Sequence, residues 1–209
     1  LTLGERRNTN CVSTHMMWNA EDFAQAWSRA LPIDQYLDDL LNAVPNQEDP
    51  YAKYLVINQQ RVKRLTQRLR LEPETEVAAL NAQAGTKWLI LNEHWCGDGA
   101  QIVPVQAAIA RASNGRIEAR VLFRDQNLEL MDQFLTNGGR SIPKTIQMNE
   151  AFEVTKSWGP RPSEAQELVQ RVKADPERAH LYSEELHKWY AVNRQQACQV
   201  EFRALIASV

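Results

Sequence analysis

The chain has 209 residues, 44% hydrophobic and 24% charged, with a formal net charge of −2 and a pI near 6.1. These are ordinary globular values for one domain or a domain with an extension. Near-neutral charge excludes nucleic acid as a main partner, because phosphate binding needs a large basic face. No apolar run approaches membrane-spanning length, so no membrane partner is expected and a reducing cytoplasm is the default location.

Residues 1–16 lack periodicity, and Arg6-Arg7 precedes no sustained apolar region. They are expected to be disordered or expression-derived, with Met16 or Met17 a candidate natural start and Cys11 incidental. Residues 17–85 read as a helical extension. Phe23, Ala26, Trp27 and Ala30 follow helical spacing behind a candidate N-cap, Asn19, and Pro32 ends that helix. Leu37, Leu40, Leu41 and Val44 mark a second helix. Tyr51, Tyr54, Leu55, Val62, Leu65 and Leu69 form one stripe of a long helix from about 50 to 70. Its other faces carry Arg61, Lys63, Arg64, Arg68 and Arg70, either a solvated surface or a receiver for an acidic partner or anionic thiol. Glu72-Pro73-Glu74 opens a short helix ending near Gly85.

The most informative stretch runs from Lys87 to Ala110. An apolar run, Trp88 to Leu91, leads into Trp95-Cys96-Gly97-Asp98-Gly99, after which Ile102, Val103, Gln106, Ala107 and Ala110 recur at helical spacing. This reads as strand, turn, helix, with Cys96 at the turn. Unpaired backbone N–H groups and the positive end of the helix dipole meet there, which favours the thiolate. Asp98 opposes that, unless it points to solvent or caps the helix. His94 is a candidate proton partner for Cys96, or faces away; Trp95 is expected to pack beside the thiol.

Downstream, Ile117, Ala119, Val121 and Phe123 alternate as a half-buried strand. Leu128, Met131, Phe134 and Leu135 predict a helix stopped by Asn137-Gly138-Gly139. Residues 144–148 and 152–157 predict an antiparallel pair, and Ser163 is a candidate cap for the following helix. Asp175-Pro176-Glu177 predicts the start of a C-terminal helix of about thirty residues or a kinked pair, with Cys198 inside its apolar pattern. The three cysteines, Cys11, Cys96 and Cys198, form no C-x-x-C pair. His94 with Cys96, or Cys11 with His15, offers only two ligand types each, so no metal site is expected.

The central stretch resembles the active-site segment of the thioredoxin superfamily, in which a strand ends in Trp-Cys-x-x-Cys and runs into a proline-kinked helix. Gly99 stands where the second cysteine would be, and Pro104 matches the kink proline. Arg140-Ser141-Ile142-Pro143-Lys144-Thr145-Ile146 looks like the segment whose cis-proline faces the reactive cysteine. Trp158-Gly159-Pro160-Arg161-Pro162 resembles a motif of bacterial thioredoxin-like proteins. The resemblance implies an α/β thioredoxin-like core over 86–174, a mixed sheet flanked by helices, with helical extensions at 17–85 and 175–209. It also implies monothiol chemistry at Cys96: a mixed disulfide resolved by an external thiol, glutathione or another low-molecular-weight thiol, in thiol-disulfide exchange or thiol transfer. The partners implied are protein or small-molecule thiols and disulfides, with no resident cofactor. Trp95, Gly97, Asp98, Ile142, Pro143 and Arg161 are the expected substrate contacts, Pro143 by opening backbone groups of Ile142 and Arg161 by gripping a carboxylate or by making a structural salt bridge. The alternative is a non-catalytic binding or adaptor module on the same fold. A glutathione transferase fits less well, since that fold places its helical domain after the core.

Overall fold

The structure, a computed structural model, describes residues 18–207; Cys11 and His15 lie outside them. In chain order the elements are α1 (Ala20–Arg29), β1 (Leu31–Pro32), α2 (Ile33–Asn42), α3 (Ala52–Arg68), α4 (Pro73–Leu80), β2 (Thr86–Asn92), α5 (Gly99–Ala112) and β3 (Ile117–Phe123). They continue with α6 (Leu128–Met131), β4 (Lys144–Met148), β5 (Val154–Trp158), α7 (Ser163–Ala174), α8 (Tyr182–Asn193) and α9 (Gln196–Ile206). The strands form one mixed sheet in the order β1-β3-β2-β4-β5. β2 runs parallel to β3 and antiparallel to β4, and β5 is antiparallel to β4. The expected α/β architecture, a mixed sheet between helices with helical extensions, is therefore present.

The central strand explains the two-layer core. Successive residues of a strand face opposite sides, so Trp88 and Ile90 pack against α2, α3, α5 and α9, whereas Leu89 and Leu91 pack against α1 and α6. Burial of each such large side chain is worth about 1.5–3 kcal/mol relative to exposure. Trp88 is fully buried, and its indole N–H donates to Gln147 Oε1 at 2.9 Å, so the ring carries no unpaired polar atom into the core.

Several expectations are corrected. The N-terminal extension is not wholly helical: Leu31 and Pro32 pair antiparallel with Val121 and Arg120 at the sheet edge, where proline's missing donor costs no ladder bond. The helix expected over 128–135 stops at Met131. There, Gln133 and Phe134 make i→i−3 bonds to Leu130 and Met131, and Thr136 pairs with Gly139 in a tight turn. Ser163 does not cap α7 with its own side chain; the Glu201 carboxylate of α9 accepts from both its N–H and its hydroxyl, at 2.7 and 2.6 Å. Asp175-Pro176 opens a turn, and the C-terminal helix begins at Tyr182. Arg194 and Gln195, at φ 49° and 64°, divide it into α8 and α9. Asn19 does cap α1, with a capping box to Asp22.

Candidate functional site

Cys96 sits in the turn between β2 and α5, where backbone geometry brings two polar groups to its sulfur. The Gly99 N–H, the first of α5, donates to Cys96 Sγ at 3.3 Å, and the thiol donates to the Ile142 carbonyl at 3.4 Å. The Ile142–Pro143 peptide bond is cis. Behind it the Gly159–Pro160 bond is also cis, and a Cβ at Gly159 would overlap the Pro143 carbonyl. Gly159, at φ +124°, lets the Trp158–Pro162 segment lie directly against the cis-proline turn.

The thiolate expectation is overturned. The Gly99 and Asp98 N–H groups and Arg161 do favour the anion, as the helix terminus suggested. Burial is the larger effect, with Cys96 only 6% exposed, and Asp98 adds to it, so the thiol is pushed up to about 12.

Asp98 neither caps α5 nor faces solvent. Its Oδ2 accepts from Arg161 Nε and Nη2 at 3.1 and 2.6 Å, and its Oδ1 accepts from the Tyr190 hydroxyl at 2.7 Å. Arg161 Nη1 donates in turn to Gln166 at 2.7 Å. Thus Arg161 does grip a carboxylate, the chain's own, and the network ties the cysteine turn to α7 and α8. The carboxylate oxygens and most guanidinium donors are satisfied, which is what makes a buried ion pair tolerable.

Trp95 lies between two neighbours: Tyr51 stacks on it with centroids 4.9 Å apart, and the Arg124 guanidinium lies 5.3 Å from its ring centre. His94 is turned away into aromatic packing, 4.9 Å from Tyr36 and 5.2 Å from Phe123, and burial lowers its pKa. Over Gly97 stand two side chains that sequence reading did not single out for this role: His187 Nε2 lies 3.0 Å, and Arg61 Nη1 3.3 Å, from where a Cβ would begin. Burial and the Arg61 charge lower His187 to about 4, so it is neutral at pH 7.

The position of the missing second cysteine is filled. A Cβ on Gly99 would overlap the carboxamide of Asn92, whose Nδ2 donates to the Tyr36 hydroxyl at 2.9 Å. Asn92 at the end of a buried apolar strand was the one sequence signal for this. Tyr190 and His187 were hidden within an apolar helical pattern, and Arg61 within a basic one. Among the described residues, no group of three or more His, Cys, Asp or Glu is placed to hold a metal ion, and no helix is long and apolar enough to cross a membrane.

A cysteine at a strand-to-helix turn, opposed by a cis-proline on the neighbouring strand of a mixed sheet, defines a thioredoxin-fold protein. The chain belongs to the thioredoxin family: the family model Thioredoxin_9, described as thioredoxin, matches residues 44–173. Two solved structures share the fold. A protein of unknown function from Pseudomonas aeruginosa aligns with a TM-score of 0.63 at 14% identity, over 88% of this chain and 95% of its own. An HIV epitope-scaffold aligns with a TM-score of 0.60 at 13% identity, over 88% and 98%. No curated protein sequence matches significantly.

Proposed function

We propose that the protein is a monothiol member of this family, exchanging disulfides or transferring thiols through Cys96 in a reducing, cytoplasmic setting. The observation that carries the reading is the placement of Cys96 Sγ between the Gly99 N–H and the Ile142 carbonyl at a cis-proline. Trp95, Gly97, Ile142 and Pro143 are the contacts a substrate would make once it displaces the side chains over Gly97 and Trp95, while Asp98 and Arg161 act from behind as positioning residues. Cys96 gives up its proton, its sulfur attacks one sulfur of a disulfide RS–SR′, and the S–S bond breaks. A mixed disulfide between Cys96 and the RS group forms, and R′S⁻ leaves and takes up a proton. An external thiol, glutathione or a similar small molecule, then attacks the R sulfur, forms the new disulfide and returns Cys96 as a thiol. With its pKa near 12, Cys96 is a thiol at rest, so the exchange is slow at neutral pH and accelerates with alkali.

A second reading, a non-catalytic binding module, is favoured by the same high pKa and by Asn92 filling the second-cysteine position. The two separate by incubating the native protein with glutathione disulfide and mapping adducts by mass spectrometry. One glutathione on Cys96, released by added thiol and absent in Cys96→Ser, supports exchange. Adducts that form only after unfolding sink it in favour of the binding module.

A further inference from the structure

Between α3 and the α8–α9 corner lies a cleft of about 490 Å³, lined by Arg64, Arg68, Arg70 and Arg194 over an apolar floor that includes Leu65 and Leu69. That volume lies within the range of small-molecule sites. Among the described residues, no carboxylate lines it. Seven arginines elsewhere in the fold, such as Arg111 with Asp34 and Arg203 with Glu72, each hold an acidic side chain. Arg64, Arg68, Arg70 and Arg194 form no ion pair among the described residues, in a chain that carries 26 acidic and 24 basic side chains. Arg70 spends one nitrogen on the backbone carbonyls of Gln67 and Leu69. Like charges set three and four residues apart on one helix repel, and Arg61, one turn before Arg64, is already shifted down by its own burial and by that neighbour. Four guanidiniums with free donors, gathered at a concave surface, are suited to the oxygens of carboxylates or phosphates, which they bind as planar forks.

We propose that this cleft binds a small organic polyanion, a molecule carrying at least two carboxylate or phosphate groups on a short apolar frame. The anionic groups pair with Arg64, Arg68, Arg70 and Arg194, and the frame lies on Leu65 and Leu69. The assignment does not depend on thiol exchange at Cys96.

The test is calorimetric titration of the full chain with pyrophosphate and, separately, with citrate. Saturable one-to-one binding is expected for at least one of them, weakening as salt is raised. In the double variant Arg68→Gln/Arg194→Gln, affinity falls roughly tenfold or more, since two charge-assisted contacts are lost. Arg171→Gln on α7, outside the cleft, leaves it unchanged, and thermal melts check that both variants are folded. Tighter pyrophosphate binding assigns a phosphorylated ligand, and tighter citrate binding a polycarboxylate. Absence of saturable binding to both, or binding that survives the double substitution, overturns the proposal.

Discussion

Cys96 and Cys198 are both buried thiols, 6% and 0% exposed, and in each burial is the main reason the proton is held. Asp98 pushes both further upward. Their surroundings differ. Cys198 lies within α9 in the larger apolar cluster, packed with residues such as Phe202 and Tyr190. Cys96 has an N–H aimed at its sulfur, a carbonyl accepting a hydrogen bond from its thiol and a cis-proline turn across from it. Burial therefore does not separate a structural thiol from a candidate nucleophile; directed backbone groups do.

The contrast can be broken by removing what holds the cysteine turn. Asp98→Ala leaves Arg161 as an uncompensated buried charge and should destabilise the protein by about 3–5 kcal/mol in urea unfolding. It also removes a carboxylate that both cysteines feel. Restoring a second cysteine is the next largest effect. Gly99→Cys forces its Cβ into Asn92 and should cost about 1–3 kcal/mol by overpacking. Asn92→Ala/Gly99→Cys should recover part of that loss and form a disulfide between Cys96 and the introduced thiol, detectable by mass, an option closed to Cys198. Tyr190→Phe keeps the buried ring but leaves Asp98 Oδ1 without its 2.7 Å donor, at about 1–2 kcal/mol in the same unfolding assay.

The smallest effect is a pH dependence. His187 has a folded pKa of about 4 against an unfolded value of 6.5, so the unfolded chain binds the proton first as pH falls. Stability is complete above pH 6.5, declines between 6.5 and about 4, and levels below. Allowing for solvent screening at this partly exposed ring, the loss is on the order of 1 kcal/mol. Urea midpoints at pH 7 and pH 4.5 should converge in His187→Gln if the histidine is responsible.

Much of the frame was legible because it is local. The alternation in β3, the apolar run of β2 and the caps around α1 follow from backbone periodicity alone, and Cys96, Pro104 and Pro143 mark the core in order. What escaped sequence reading depends on distant partners. Asp98 looked free to cap α5 because Arg161 and Tyr190, which hold it, lie 63 and 92 residues away. The thiolate expectation weighed the helix terminus but had no measure of burial, and burial decided the balance. Leu31-Pro32 was too short to show a strand period, and Ser163 resembled a cap whose actual acceptor, Glu201, belongs to another helix.

The most direct test of the difference between the two thiols is the rate of iodoacetamide alkylation at each cysteine in the native protein from pH 7 to pH 10, resolved by mass spectrometry. Cys96 should react about tenfold faster per pH unit with no plateau, as a thiol near pKa 12 requires, while Cys198 stays protected throughout. Equal protection of both cysteines until the chain unfolds would contradict the account.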